Sequence, residues 1–325
     1  MIKRPDCPII AIEEHYWDDE LASHFSGPEG SKPGLIESRL RSFGGDRLRD
    51  MDAAGIDLCV LSHGAPSSQK IPADIAAALV RRVNDRLAAA VAENPTRFAA
   101  FAALPTAVPE AAADELERCV GMGFRGAMVH GMTNGEFLDL PKYWPIYARA
   151  EKLDVPVYFH PAYPHPAVVD AYYRDYLKDY PMLARPAWGY TVDAGTQGVR
   201  LVLSGVFEKH PKLKVILGHL GESIPFQLWR LDQAFNRPGQ GKSVAFREIF
   251  TRNFWITTSG FFSTPSLVCC VTEMGVDRIL FAVDWPFVAE SRPGVAWMDA
   301  VPLSMEDKMK ILGGNAKRLL KMPSP

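Results

Sequence analysis

Glu13 and His15 flank a single residue in the run Ile12-Glu13-Glu14-His15, at the end of a short apolar segment. On an extended chain alternate side chains share a face, so this carboxylate and imidazole are presented together while Glu14 faces away. A mixed oxygen and nitrogen pair suits Zn2+ or Mn2+. Glu-x-His alone is a weak signal, and three other groups strengthen it. His160 closes the apolar run Val-Pro-Val-Tyr-Phe-His and is followed by Pro161, which stops further strand pairing. His219 lies between Gly218 and Gly221, which leave room for a sharp turn and a close approach. Asp284 ends Leu-Phe-Ala-Val-Asp, where an acidic group is costly unless paired, hydrogen-bonded or metal-bound. His160 taken singly reads better as a hydrogen-bonded core residue than as a ligand. The conjunction of all of them at segment ends points to a mononuclear metalloenzyme.

Such residues meet only if the segments that carry them converge. Eight short apolar or β-branched runs read as strands: 8–12, 58–62, 98–104, 126–130, 155–160, 214–219, 254–258 and 278–284. Helical periodicity fills the spaces between, as at 75–93, where Ile75, Leu79, Val83, Leu87 and Val91 recur on one face. Further helices are expected at 109–120, 142–153, 193–208, 222–236, 264–274 and 304–321. Strand and helix alternating in this way predict parallel strands joined by right-handed crossovers. Runs such as Val215-Ile216-Leu217 are apolar throughout, as strands buried on both faces are. The expected fold is an α/β (β/α)8 barrel, one domain over 1–325, whose strand C-termini share a single mouth.

Two connections exceed ordinary loop length: 16–43 after the first strand and 161–191 after the fifth, both rich in Pro, Tyr, Trp or Gly. They read as lids or walls of the mouth, with surface insertion or oligomer contact as the alternative. Phe287, Tyr163 and Trp188 are candidate walls for a ring. His130 and His63, at the ends of strands four and two, are further candidates to line the pocket. His24 and His165 fall in the insertions, and His210 before Pro211 reads as a solvent-facing cap.

Composition narrows the remaining classes. The chain has 325 residues, of which 47% are hydrophobic and 23% charged, with a formal net charge of −2. That is the profile of a globular protein with a sizeable core and no electrostatic footprint for nucleic acid. No apolar run reaches the roughly 18 residues that span a bilayer, and the N-terminus lacks the apolar stretch of a secretory signal. Five cysteines without a CxxC pair argue against a disulfide framework and for a reducing, cytoplasmic setting. Cys269-Cys270, within a helical pattern, reads as a pair of structural thiols. The last residues, 322–325, are expected to fray.

Taken together, these motifs resemble the amidohydrolase superfamily, in the branch of the non-oxidative aromatic acid decarboxylases of the γ-resorcylate (2,6-dihydroxybenzoate) type. The resemblance runs through Ile12-Glu13-Glu14-His15, Met51-Asp52-Ala53-Ala54-Gly55-Ile56-Asp57, Asn94-Pro95-Thr96-Arg97-Phe98, Phe159-His160-Pro161, Gly218-His219-Leu220-Gly221-Glu222, Trp229-Arg230-Leu231-Asp232, Thr258-Ser259-Gly260, Asp284-Trp285-Pro286-Phe287 and Asn315-Ala316. It implies that Glu13, His15, His160 and Asp284 hold one divalent ion, Zn2+ or Mn2+. It further implies that Asp284, His219 and Glu222 are catalytic, with Asp284 as proton donor, and that Arg230 contacts a small aromatic acid. Phe287 and His130 complete the expected substrate-binding set. A homodimer or homotetramer is implied as well. Two features depart from the γ-resorcylate pattern: the loop Pro161-Ala162-Tyr163-Pro164-His165-Pro166 and the imidazole at His130. A metal-dependent hydrolase of a lactone or amide in the same superfamily is the alternative activity.

Overall fold

The structure is a computed structural model that describes residues 6–30, 32, 34–288 and 292–322. Among the described residues, eight parallel strands follow one another around a ring: β1 (Ile10–Tyr16), β2 (Leu58–His63), β3 (Phe98–Ala100), β4 (Ala127–His130), β5 (Pro156–His160), β6 (Lys214–Leu217), β7 (Phe254–Thr257) and β8 (Ile279–Leu280). Regular ladders join β1 to β3 and β4 to β8. Two seams close the circle. Between β3 and β4, Ala102 N–H donates to Gly126 O and Met128 N–H to Ala102 O. Between β8 and β1, Ile12 N–H donates to Phe281 O and Asp284 N–H to Glu13 O. The result is the expected (β/α)8 barrel.

Alternation sorts the side chains into two cores. Ile10, Ile12, Val60, Phe101, Met128, Tyr158, Ile216, Leu280 and Ala282 point inward and fill the barrel, with Leu319, Leu320 and Met322 against them. The interleaved residues, among them Ile9, Ala11, Cys59, Leu61, Val129, Val157, Phe159, Val215 and Leu217, belong to a larger core that includes residues of the surrounding helices. Those helices include Ala73–Glu93, Pro109–Gly121, Trp144–Leu153, Gly189–Leu203, Ile224–Phe235 and Thr264–Met274.

Several boundaries differ from the sequence reading, each for a local reason. The first strand is shifted, so Glu13 and His15 lie within β1 rather than after it. The expected helix 193–208 begins earlier and is broken at Gly205, whose φ of 86° only glycine adopts at low cost. The last helix is interrupted by a π-turn at Lys310–Gly314. Of the residues expected to fray, Met322 is buried and 323–325 lie outside the described residues.

The two insertions lie over the mouth and meet there. The first carries short helices at Asp19–Ala22, Gly27–Glu29 and Gly34–Leu40, and its Trp17, Ala22 and Leu40 form a small core touched by Phe287. Glu29 ties it to the second: Oε1 accepts Tyr163 N–H at 2.9 Å and Oε2 pairs with Lys70. Arg185 adds a bond to Pro28 O at 2.6 Å.

Candidate metal and catalytic centre

A bulge in β1 decides which way the first two ligands face. Ala11 pairs with Cys59, yet Glu14, three residues on, pairs with Leu61, two residues on, so β1 holds one extra residue there. Strict alternation from Ile10 and Ile12 would turn Glu14 into the barrel. The added residue instead sends Glu13 and His15 inward and Glu14 outward toward β8. Glu14 accepts Val283 N–H at 2.9 Å and Trp285 N–H at 3.3 Å, fastening the segment that carries Asp284. Burial pushes the Glu14 carboxyl up to about 8.

Inward positions at the other strand ends complete the ring: Ser62, His130, His160, Thr257, Ser259 and Asp284. One donor atom from each of Glu13, His15, His160 and Asp284 lies within 4.8 Å of the others. His15 Nε2 is 3.2 Å from Asp284 Oδ1, and His160 Nε2 is 3.2 Å from Glu13 Oε1. Glu13 Oε1, His15 Nε2, His160 Nε2 and Asp284 Oδ1 are all buried without a hydrogen-bond partner among the described residues. Two carboxylate oxygens and two imidazole nitrogens crowded together in this way form a mixed donor set that could hold one divalent cation.

The far side of each ligand is already committed. Ser62 Oγ is 3.2 Å from His15 Nδ1. His160 Nδ1 donates to Pro161 O at 2.6 Å, which leaves its Nε2 lone pair facing Glu13. Glu13 Oε2 accepts the hydroxyls of Tyr158, Thr257 and Ser259, the second at 3.3 Å. Burial opposes the Glu13 charge, but His219, His160 and His15 outweigh it and hold the carboxyl well below its ordinary range. Burial, reinforced by Glu13, pushes the Tyr158 phenol up, so it remains a donor. Gly218 makes room for this arrangement, since a Cβ there would lie 3.2 Å from Glu13 Oε2.

His219 stands beside the four. Its Nε2 is 3.7 Å from Asp284 Oδ2 and 3.9 Å from Glu13 Oε1. Its Nδ1 donates to Glu222 Oε1 at 2.8 Å. Burial works against a charge on His219, but Glu222, Glu13 and Asp284 outweigh it and raise its pKa well above the usual histidine value. Both His219 and Asp284 have left-handed backbone, with φ of 46° and 66°. Such conformations cost about 1–3 kcal/mol each and collect at functional sites.

The remaining candidates divide. Phe287 packs 5.8 Å from the His15 ring and walls the site. His130 is buried 4.8 Å from the His160 ring, with neither ring nitrogen hydrogen-bonded. Arg230 is not brought into this cluster. It is exposed on the helix Ile224–Phe235 and shares an outward face with Phe226 and Trp229. Trp188 stands 53% exposed at the start of the helix Gly189–Leu203.

His63 faces away from the barrel interior, accepting Asp18 N–H at Nε2 and donating to Gly64 O, a structural role. Burial presses its pKa down to about 4. His210 is buried against Glu151 at 3.1 Å rather than facing solvent. Cys270 is a buried thiol that burial pushes up to about 12, in keeping with a structural role.

Sequence reasoning missed Tyr158, Thr257 and Ser259 as supports of Glu13. The inward parity of Tyr158 on β5 and of Thr257 on β7, with Ser259 two residues beyond it, was the available signal. It also missed the role of Glu14, which only the bulge reveals.

Barrel and centre together define an enzyme built around one divalent metal ion. The amidohydrolase family model matches residues 12–322. The chain is 40% identical to a γ-resorcylate decarboxylase from Rhizobium sp. (strain MTP-10005), over 96% of this chain and 98% of that protein. A solved 2,6-dihydroxybenzoate decarboxylase complexed with 2,6-dihydroxybenzoate matches at a TM-score of 0.87 and 39% identity, covering 97% of this chain and 100% of the other. A dihydroxybenzoic acid decarboxylase from Polaromonas sp. JS666, with bound manganese and the inhibitor 2-nitroresorcinol, matches at 0.85 and 39%, covering 97% of each chain. The chain belongs to the amidohydrolase family.

Proposed function

We propose that the protein is a metal-dependent, non-oxidative decarboxylase of a hydroxybenzoate such as γ-resorcylate, reversible as a carboxylase at high bicarbonate. The carrying observation is the convergence of Glu13, His15, His160 and Asp284 with the His219–Glu222 pair beside them. Likeness to named decarboxylases over nearly the whole chain supports the lyase assignment over a hydrolase. We treat the chain as one catalytic barrel domain, a reading supported by the span of the family match.

Glu13, His15, His160 and Asp284 would hold the ion, Mn2+ as in the solved relative or Zn2+. When bound, it would supply Lewis acidity toward the carboxylate and ortho-hydroxyl oxygens of the substrate. Asp284 is the proposed proton donor to the ring carbon that loses its carboxylate. The C–CO2 bond breaks, its electron pair takes the proton, and CO2 leaves. His219, 3.7 Å from Asp284 Oδ2, returns a proton to that carboxylate, and Glu222 keeps the imidazole charged and oriented. Phe287 packs against the ring. His130, with two unpartnered nitrogens, is suited to a second ring hydroxyl. Arg230 enters this reading only through another copy of the chain. An exposed face with Phe226 at 78% and Trp229 at 67% is what a homodimer or homotetramer would cover.

The test is incubation of metal-loaded protein with a panel of ortho-hydroxybenzoates in D2O. CO2 release with deuterium incorporated at the vacated ring carbon is expected. Absence of turnover across the panel, combined with solvent oxygen entering a lactone or amide product, would replace the lyase with the hydrolase.

A further inference from the structure

Lys32, in the first insertion, forms no ion pair with a carboxylate among the described residues. It is half-buried between two aromatic side chains. Its Nζ is 5.7 Å from the centroid of Trp17 and 5.5 Å from that of Phe287. Phe287 itself packs 5.8 Å from the His15 ring, and Lys32 feels the charge of Asp284, so the ammonium is within electrostatic reach of the centre.

The two carboxylates that act on Lys32 electrostatically are Glu29 and Asp284, and both are taken. Glu29 Oε2 pairs with Lys70, and Oε1 accepts Tyr163 N–H. Asp284 faces His15 through Oδ1 and His219 through Oδ2. No carboxylate among the described residues forms an ion pair with Lys32. Burial presses its pKa below the ordinary lysine value, and the positive Arg185 adds to that effect. Aromatic faces attract an ammonium by about 0.5–2 kcal/mol but leave its charge uncompensated. Desolvating an unpaired cation costs more than that. Among the described residues nothing pairs with this charge directly, and an anion bound beside it would.

We propose that Lys32 is a specificity-determining residue that recognises the negative charge of the aromatic acid, binding the ionised substrate in preference to the neutral phenol it becomes. This rests on the decarboxylase reading for the identity of the anion. Decarboxylation removes the carboxylate as CO2, so the ammonium loses its partner when the product forms. Lys32 thus favours substrate entry and product departure with the same charge.

The experiment compares wild type with Lys32→Met and Lys32→Arg, all loaded with Mn2+ and checked for equal metal content. Binding of 2,6-dihydroxybenzoate and of neutral resorcinol is measured by calorimetry, alongside kcat and KM. For Lys32→Met, benzoate binding weakens 10-fold or more, resorcinol binding stays within 2-fold, and KM rises by a larger factor than kcat falls. Lys32→Arg recovers most of the benzoate affinity. Equal weakening of both ligands would reduce Lys32 to a packing element, and unchanged benzoate affinity would remove it from recognition; either overturns the proposal. A wild type that binds benzoate through Lys32 but never releases CO2 would refute the decarboxylase reading and leave charge recognition standing.

Discussion

Replacing Glu222 with Gln tests the proton relay with little change in shape. Glu222 is 3% exposed, and its Oε1 accepts from His219 Nδ1 at 2.8 Å. Glutamine keeps an acceptor at that point, so the tautomer and ring orientation survive while the charge is lost. A hydrogen bond to a charged group contributes about 1.5–3 kcal/mol, and a neutral one about 0.5–1.5 kcal/mol. The difference, roughly 1–2 kcal/mol, corresponds to about one pH unit on His219. His219 is held charged above its ordinary range by Glu222, Glu13 and Asp284 against the opposing effect of burial. Removing Glu222 lowers that pKa. If the imidazolium returns the proton to Asp284, activity is lost as pH rises through the His219 pKa, so the basic limb of kcat should move to lower pH by about one unit. The assay is the pH profile of kcat for wild type and Glu222→Gln at equal metal content. Superimposable basic limbs would refute the relay and leave Glu222 as packing alone.

Other consequences follow from the same geometry. Asp284→Asn should retain the circular dichroism spectrum and cooperative melting of the wild type while kcat falls by about 100- to 10,000-fold, the range of a lost general acid; near-normal turnover would exclude Asp284 as donor. Chelation should lower the melting temperature, and Mn2+ or Zn2+ at about 100 times its Kd should restore about 2.7 kcal/mol, or roughly 5 °C. Melting that ignores both ions would contradict the grouping of Glu13, His15, His160 and Asp284 as ligands. Burial and the nearby Glu29 push Asp193 up to about 7. The folded state therefore holds a proton that the unfolded chain has released, and stability falls as pH rises from about 4 to about 7. Asp193→Asn should remove that loss, gaining roughly 2–3 kcal/mol relative to wild type between pH 5 and pH 8, read from urea melts. A difference independent of pH would show that Asp193 is not protonated in the fold.

Much of this molecule is written in its periodicities. Short, mostly apolar strand runs separated by helix-length spacers specify a parallel barrel, because parallel neighbours need a helical crossover that also buries the strands' outer face. Polar groups at the ends of apolar strands announced the centre, since Asp284, His160 and Glu13 would be costly there without partners. Sequence also gave Glu13 and His15 a common face.

Tertiary structure decided which face that was. A one-residue bulge between Ala11 and Glu14 reverses the parity of β1, and no local pattern announces it, because an extra residue has meaning only against the register of β2. The same limit applies to Lys32, which reads as an ordinary loop lysine until folding sets it between Trp17 and Phe287. Arg230 is the converse: its motif suggested a substrate contact, and only the fold shows that it lies on an exposed helix face, outside the cluster of its own chain. Residue type and spacing fix what chemistry a chain can do. Register and packing, set by partners distant in sequence, fix which atoms meet to do it.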